Sequence, residues 1–288
     1  MDMVVTPSTA TLGAVVHGVE LRALDDASWS AIEDAFHEHA VLVFPEQFLD
    51  DDEQSAFGRR FGRFERGMGY LGAATVWPIS NVQADGSLAD PMGPLAAALA
   101  GNQEWHTDSS YHEVGAKVSL LSARVVTSTG GETEWADMRA AYDALDAVDR
   151  SLIEGRDAAH SIVYSQRRMG AGADFYTEAD KASMAAVRHP LVRVHPATGR
   201  RSLYLGRHAH AVSGFDEPGS TELCDWLNAF ACQGPRVFTH RWEPGDVAVW
   251  DNRCVLHRGR PWPSDEPRVL RHTRIAGDGD NDWALANL

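Results

Sequence analysis

"RVFTHRWEPGDVAVWDNRCVLHRG", residues 236–259, reads as strand, turn, strand, with "EPGD" as the turn. The stretch is apolar up to Trp250 and then abruptly polar, as at the mouth of a barrel. "PRVLRHTRIAG" (267–277) reads as a further strand. "PLVRVHPATGRRSLYL" (190–205) reads as strand, turn, strand around "ATGR". Short strands crowd the C-terminal third while helices lie elsewhere. That distribution predicts a mainly β fold with flanking helices, a sandwich or jelly roll.

Working outward, "DDASWSAIEDAFHEHA" (25–40) predicts a capped helix with Trp29, Ile32 and Phe36 at helical spacing. "AVLVF" (40–44) predicts a buried strand stopped by Pro45, and "DDEQSAFGRRFG" (51–62) a second capped helix. "DMRAAYDALDAVDRSLIEG" (137–155) reads as helical. "STELCDWLNAFAC" (220–232) does too, with Leu223, Trp226, Leu227 and Phe230 on its apolar side. Residues 66–103 and 160–188 are irregular, with a turn at "DG" (85–86), and are expected to be active-site loops. There is no repeat or low-complexity linker, so residues 1–288 are expected to form a single domain.

Of the 288 residues, 44% are hydrophobic and 23% charged, which suits a packed core. The net charge of −15 repels polyanions on average, so neither nucleic acid nor an anionic membrane is the expected partner. No run reaches the roughly 18 apolar residues of a membrane helix. The start, "MDMVVTPSTATLGAVVHG", lacks a basic, apolar targeting pattern. Cys224, Cys232 and Cys254 form an odd set without CxxC, which suits a reducing cytoplasm. A homo-oligomer is compatible with the sequence, which does not fix the oligomeric state.

The chemistry concentrates in "NQEWHTDSSYHEV" (102–114). On a strand, His106 and Asp108 would share a face and aim a nitrogen and an oxygen at one point. A third ligand is expected on another strand, and His257 is the best candidate. Two imidazoles and one carboxylate with open positions suit non-haem Fe(II). Zinc accepts the same set. By itself, HxD is more often a hydrogen-bonded pair. His208 and His210 form a rival pair, and Cys254 with His257 could mimic zinc ligands. On the last strand, Arg268, Leu270, His272 and Arg274 would share one face, and Arg271 the other. An arginine aimed into a barrel needs an anion, and its fork suits a carboxylate. Thr133, after the Gly-Gly turn of "GGETEWADM" (130–138), could join it.

"WHTD", "GGETEWADM", "VRVHPATGRRSLYLG" and "GDVAVWDNRCVLHRG…PRVLRHTRIAG" occur in an order that resembles the taurine dioxygenase-like Fe(II)/2-oxoglutarate-dependent dioxygenases. "MRAAYDALD", "GRHAHAV" and "WDNRC" are especially similar to the aryloxyalkanoate branch acting on (S)-enantiomers. The resemblance implies a double-stranded β-helix (jelly roll) core and iron held by His106, Asp108 and His257. It implies 2-oxoglutarate and O2 as cosubstrates, with Arg268 and Thr133 on the far carboxylate and Trp250 against it. Many members carry a second arginine, for the anionic substrate, where this chain has His272. Arg207, His208 and Arg274 are then the candidate anchors, with Ser109 and His272 as further substrate contacts and Tyr70, Trp77 and Phe175 as apolar wall.

The expected reaction is hydroxylation of a small anionic organic substrate. A 2-(aryloxy)propionate would give a phenol and pyruvate, with succinate and CO2 from the cosubstrate. The alternatives are an alkylsulfonate such as taurine, releasing sulfite; a zinc hydrolase on the same His-Asp-His set; and a binding module without chemistry.

Overall fold

The computed structural model describes residues 3–65, 74–170 and 185–279. Its strands are β1 (Val4–Pro7), β2 (Ala14–His17), β3 (Val41–Phe44), β4 (Trp77–Ser80), β5 (Ala116–Val125), β6 (Thr133–Asp137), β7 (Asp157–His160) and β8 (Val187–Pro190). They continue with β9 (Val192–Val194), β10 (Arg201–Leu203), β11 (Ala209–His210), β12 (Val237–His240), β13 (Val247–Asp251), β14 (Val255–Gly259) and β15 (Val269–Ala276). The helices are α1 (Asp26–His39), α2 (Asp51–Phe61), α3 (Pro94–Ala100), α4 (Met138–Ala144), α5 (Ala147–Ile153), α6 (Ile162–Arg168) and α7 (Glu217–Ala231).

The architecture is mixed α/β with several sheets. A seven-stranded sheet runs β1-β2-β3-β13-β5-β15-β4, and a three-stranded sheet runs β12-β6-β14. A second three-stranded sheet, β11-β7-β8, and a two-stranded one, β10-β9, complete the set. Strand alternation distributes the core. Leu42 and Phe44 of β3 join Leu120, Val249 and Ile275 beneath Ile32 and Phe36 of α1 and Phe57 of α2. Val41 and Val43 point the other way and pack with Trp135, Trp250, Val255 and Leu270, between the seven-stranded sheet and the smaller β12-β6-β14 sheet. Ala136 and Leu256 turn to the far side of the smaller one, under α4 and α7.

The expected helices form, with instructive differences. Asp25 caps α1 by accepting from Ser28 N. Asp50 and Glu53 make a reciprocal capping box on α2. The single helix expected over 137–155 is two, because Asp146 caps a new helix by accepting from Val148 N and Asp149 N. In α7, Leu223 and Leu227 are buried as expected, whereas Trp226 is 39% exposed and stacks on Phe230. The stretches expected as loops contain β4, α3 and α6. Residues 66–73 and 171–184, which include Tyr70 and Phe175, lie outside the described residues.

Candidate active site

Strand β15 sets the site. Arg268, Leu270, His272 and Arg274 all line one cavity of about 660 Å³. Arg271 points away and pairs with Asp51 at 3.6 Å. Period-two alternation thus puts three cationic or imidazole groups on one wall.

His106 and Asp108 do not lie on a regular strand. His106 forms a single antiparallel bridge with His257. His106 N donates to His257 O at 3.0 Å and His257 N to His106 O at 2.7 Å. The chain then turns sharply through Ser109, whose φ is +58°. That bridge brings the two imidazoles to a centroid separation of 4.1 Å. The ligand atoms of His106, Asp108 and His257 lie within 4.8 Å of one another, and all three residues are buried.

The donor set fits a metal. The Glu104 carbonyl accepts from His106 Nδ1 at 2.7 Å, which leaves the Nε2 lone pair available. Burial pulls the His106 imidazole down to about 4, with Asp108 opposing. Burial, reinforced by His106, also holds His257 well below its ordinary value. Both rings are therefore neutral and able to donate a lone pair at ordinary pH. Burial would raise the Asp108 carboxyl, but His257, His272 and Arg274 outweigh it and hold it well below the usual carboxylate range.

Behind Asp108 runs a directed chain of hydrogen bonds. Trp250 Nε1 donates to Asn252 Oδ1 at 3.0 Å, and Asn252 Nδ2 donates to Ser119 Oγ at 2.8 Å. Ser119 Oγ donates to Asp108 Oδ2 at 2.6 Å. The indole can only donate and the carboxylate only accept, so the direction is fixed.

A second cluster, His195, Asp251 and Cys254, also brings ligand-type atoms together. Its groups are already engaged. Arg253 grips both oxygens of Asp251, at 2.8 and 2.6 Å. His195 Nε2 donates to Asp251 at 2.9 Å, and its Nδ1 accepts from Thr198 N at 3.2 Å. Burial pushes the Cys254 thiol far up, so it does not offer a thiolate.

Arg268 is a buried cation without a carboxylate ion-pair partner among the described residues. Its Nη2 donates to the Gly131 carbonyl at 2.8 Å, and its guanidinium lies 4.5 Å from the Trp262 ring. Burial draws its pKa down to about 10, with only Glu132 pulling upward. Gly131, at φ +72°, gives it room, since a Cβ there would lie 2.9 Å from Arg268 Nε. Thr133 and Trp250 line the same cavity.

The other cations are differently placed. Arg274 Nε lies 3.2 Å from Glu65 Oε2, with Arg274 buried and Glu65 largely covered. Arg274 Nη1 also donates to Ser109 Oγ at 2.7 Å, and Ser109 Oγ to Glu65 at 2.9 Å. Arg207 donates to the Gly101 carbonyl and lines the cavity. His208 lines it too, with Nδ1 2.9 Å from Ser165 Oγ. Ser165 gives its proton to the Ile162 carbonyl, so Nδ1–H of His208 is the donor. His210 stacks on Tyr164 at 4.3 Å instead of joining His208. His272 lies 3.5 Å from Asp108 Oδ2 and parallel to the Trp250 ring.

Sequence reasoning missed Glu65, Ser119 and Asn252. Asn252 stood inside "WDNRC"; nothing in the sequence marked the other two. It also missed α3, whose Leu95, Ala98 and Leu99 line the cavity although no residue of the helix is buried.

Residues 5–274 match the model of the taurine catabolism dioxygenase TauD, TfdA family. The chain is 46% identical to a (S)-phenoxypropionate/alpha-ketoglutarate-dioxygenase of Delftia acidovorans, over 97% of each chain. It is 40% identical to an alpha-ketoglutarate-dependent 2,4-dichlorophenoxyacetate dioxygenase of Cupriavidus pinatubonensis, over 96% of this chain and 99% of that one. The solved structure of AAD-2 in complex with Mn(II) and N-oxalylglycine superposes with a TM-score of 0.91 at 36% identity, covering both chains completely. With its His-Asp-His set in place, the chain belongs to the TauD/TfdA family of 2-oxoglutarate-dependent dioxygenases.

Proposed function

We propose that this enzyme hydroxylates a 2-(aryloxy)propionate, with preference for the (S)-enantiomer, in one catalytic domain spanning residues 1–288. The seven-stranded sheet and the β12-β6-β14 sheet are read as the walls of a double-stranded β-helix. The carrying observation is a single cavity that holds both the His106-Asp108-His257 set and Arg268, which has no carboxylate ion-pair partner among the described residues. An Fe(II) ion held by those three side chains would supply open positions for 2-oxoglutarate and O2 and the power to oxidise a C–H bond.

The chain's own residues supply binding, orientation and dryness. Arg268 pairs with the far carboxylate of 2-oxoglutarate, Thr133 donates a hydrogen bond to it, and Trp250 packs beside it. Trp250 presents only its ring, because its N–H is committed to Asn252. The charge on Arg274 is balanced by Glu65, so it braces Ser109 more than it attracts a second anion. Arg207 and His208, which line the same cavity, are read as the contacts for the substrate carboxylate. Burial, with Arg207 beside it, holds His208 well below its ordinary value, so it contacts the substrate as a neutral imidazole whose Nδ1–H stays on Ser165. Trp77, Leu95 and Ile162 form an apolar wall suited to an aryl ring and exclude water. Hydroxylation at the ether-bearing carbon gives a hemiketal, which splits into a phenol and pyruvate, while 2-oxoglutarate leaves as succinate and CO2.

His272 also supports a carboxylate over a sulfonate, since it stands where a second arginine would grip a sulfonate. The test is a panel of aryloxyalkanoates, alkylsulfonates, sulfate esters and amino acids, read by succinate release with Fe(II), 2-oxoglutarate and air. Aryloxypropionates are expected to give the largest coupled release. Hydrolysis supported by zinc without oxygen would replace this reading with a hydrolase.

A further inference from the structure

The anion end of the cavity is held from behind. Thr133 opens β6, is 3% exposed and lines the cavity. Its Oγ1 accepts a hydrogen bond from Trp242 Nε1 at 2.9 Å. The direction follows from chemistry, because an indole N–H can only donate. A hydroxyl carries one proton and two acceptor sites. With Trp242 on one acceptor site, the Thr133 proton must be given elsewhere. Among the described residues no acceptor takes it, which is costly for a buried donor unless a ligand arrives.

Trp242 itself is buried and is not among the cavity-lining residues. Its ring is fixed independently of the site. His240 packs edge-on against it at 4.9 Å and 80°. His240 Nε2 in turn donates to Asp246 Oδ2 at 2.9 Å, and the same oxygen accepts from Glu243 N at 3.0 Å. The "EPGD" turn therefore anchors the indole from the side away from the cavity. Two strand pairings hold Thr133 between this support and the site: it stands opposite His240 of β12 and Gly259 of β14.

We infer that Trp242 is a positioning residue for 2-oxoglutarate: its indole N–H turns the Thr133 hydroxyl proton toward the far carboxylate of the cosubstrate. This rests on the reading that Thr133 and Arg268 hold that carboxylate. Without the indole, the hydroxyl is a free rotor. It must then be ordered by the ligand, and its buried oxygen loses a partner. Trp242 touches no reacting atom, so its influence passes through one oxygen. That makes it separable from a general packing role.

Trp242→Phe keeps the ring edge against His240 and removes the N–H. The readout is the equilibrium affinity of the Mn(II)-loaded protein for 2-oxoglutarate, by calorimetric titration, with Mn(II) affinity measured alongside. Trp242→Phe is expected to weaken 2-oxoglutarate binding roughly three- to tenfold, the scale of one neutral hydrogen bond. Mn(II) affinity should stay unchanged. Thr133→Val is expected to weaken binding by a similar factor or more. The double variant should bind no worse than Thr133→Val alone, because the indole then has no hydroxyl to orient. If Thr133→Val weakens binding but Trp242→Phe does not, the inference fails while the reading of Thr133 stands. If the double variant shows the product of the two single losses, Trp242 acts independently of Thr133 and the inference fails. If Thr133→Val itself binds 2-oxoglutarate normally, both the reading and the inference are overturned. Trp242→Tyr, which also lacks the indole N–H, takes the place of the Phe variant if that one does not fold.

Discussion

Ser119 Oγ lies 2.6 Å from Asp108 Oδ2 and donates its proton to it, although the two residues come from different elements: Ser119 from the middle of β5, Asp108 from a turn. Asn252 holds Ser119 from the other side and accepts from Trp250, one of the tryptophans of the cavity wall. The carboxylate is thereby fixed through Oδ2, the oxygen that also lies 3.7 Å from His257 Nε2.

Removing that support should loosen the metal. Outer partners of metal ligands typically affect affinity by about 10–100-fold. Ser119→Ala is expected to lie in that range in a Mn(II) titration followed by electron paramagnetic resonance. Asp108→Ala should abolish binding, whereas His210→Ala should bind normally. Metal retained in Asp108→Ala and lost in His210→Ala would move the metal site.

Arg268→Ala should raise the 2-oxoglutarate requirement by tens-fold or more. Loss of a buried partner to a carboxylate costs on the order of 2–5 kcal/mol. The check is the KM for 2-oxoglutarate at saturating substrate. An unchanged KM would remove Arg268 from the cosubstrate site.

Glu65→Ala should act mainly on stability. It leaves the Arg274 guanidinium buried without its carboxylate, and breaking such a pair costs roughly 3–5 kcal/mol. Denaturant unfolding of the variant is expected to show a midpoint well below that of the parent. A shift of only a few tenths of a kcal/mol would mean that the pair is solvated and Arg274 is available to substrate.

The stability of the metal-free protein should fall with acidification. His160 is fully buried, and neither ring nitrogen has a partner among the described residues. Burial, with His189 beside it, pushes its pKa well below 6.5, and burial with Arg193 takes His189 to about 3. Below pH 6.5 the unfolded chain binds protons that the folded chain refuses, so stability drops as pH falls from there toward about 3. The unfolding temperature should be lower at pH 5 than at pH 7. His160→Phe retains a ring against Tyr204 and should make that fall shallower. An identical pH dependence in the variant would count against this assignment.

Local rules made much of this legible in the sequence. The alternation of "RVLRHTR" predicted which side chains share a face along β15 and at the residue just before it, and Arg268, Leu270, His272 and Arg274 do line one cavity. The Asp caps of α1 and α2 were readable because capping is a matter of three residues. The break before α5 was readable too, had Asp146 been weighed as a cap. What stayed hidden depends on contacts distant along the chain. Asn252 meets Ser119 across 133 positions and Arg274 meets Ser109 across 165. No periodicity encodes such a meeting; it follows from strand order and register. His106 and Asp108 were expected on a strand, whereas a single bridge to His257 followed by a turn presents them.

The most direct measurement supplies the Fe(II)-loaded protein with 2-oxoglutarate and air. Separate arms contain an (S)-2-(aryloxy)propionate, its (R)-enantiomer and taurine, and each is read for phenol, sulfite and succinate. Phenol and succinate in equal amounts are expected from the (S) arm, with less from the (R) arm and no sulfite from taurine. Sulfite without phenol would contradict the proposed substrate, and a strong (R) preference would overturn the stereochemical assignment alone.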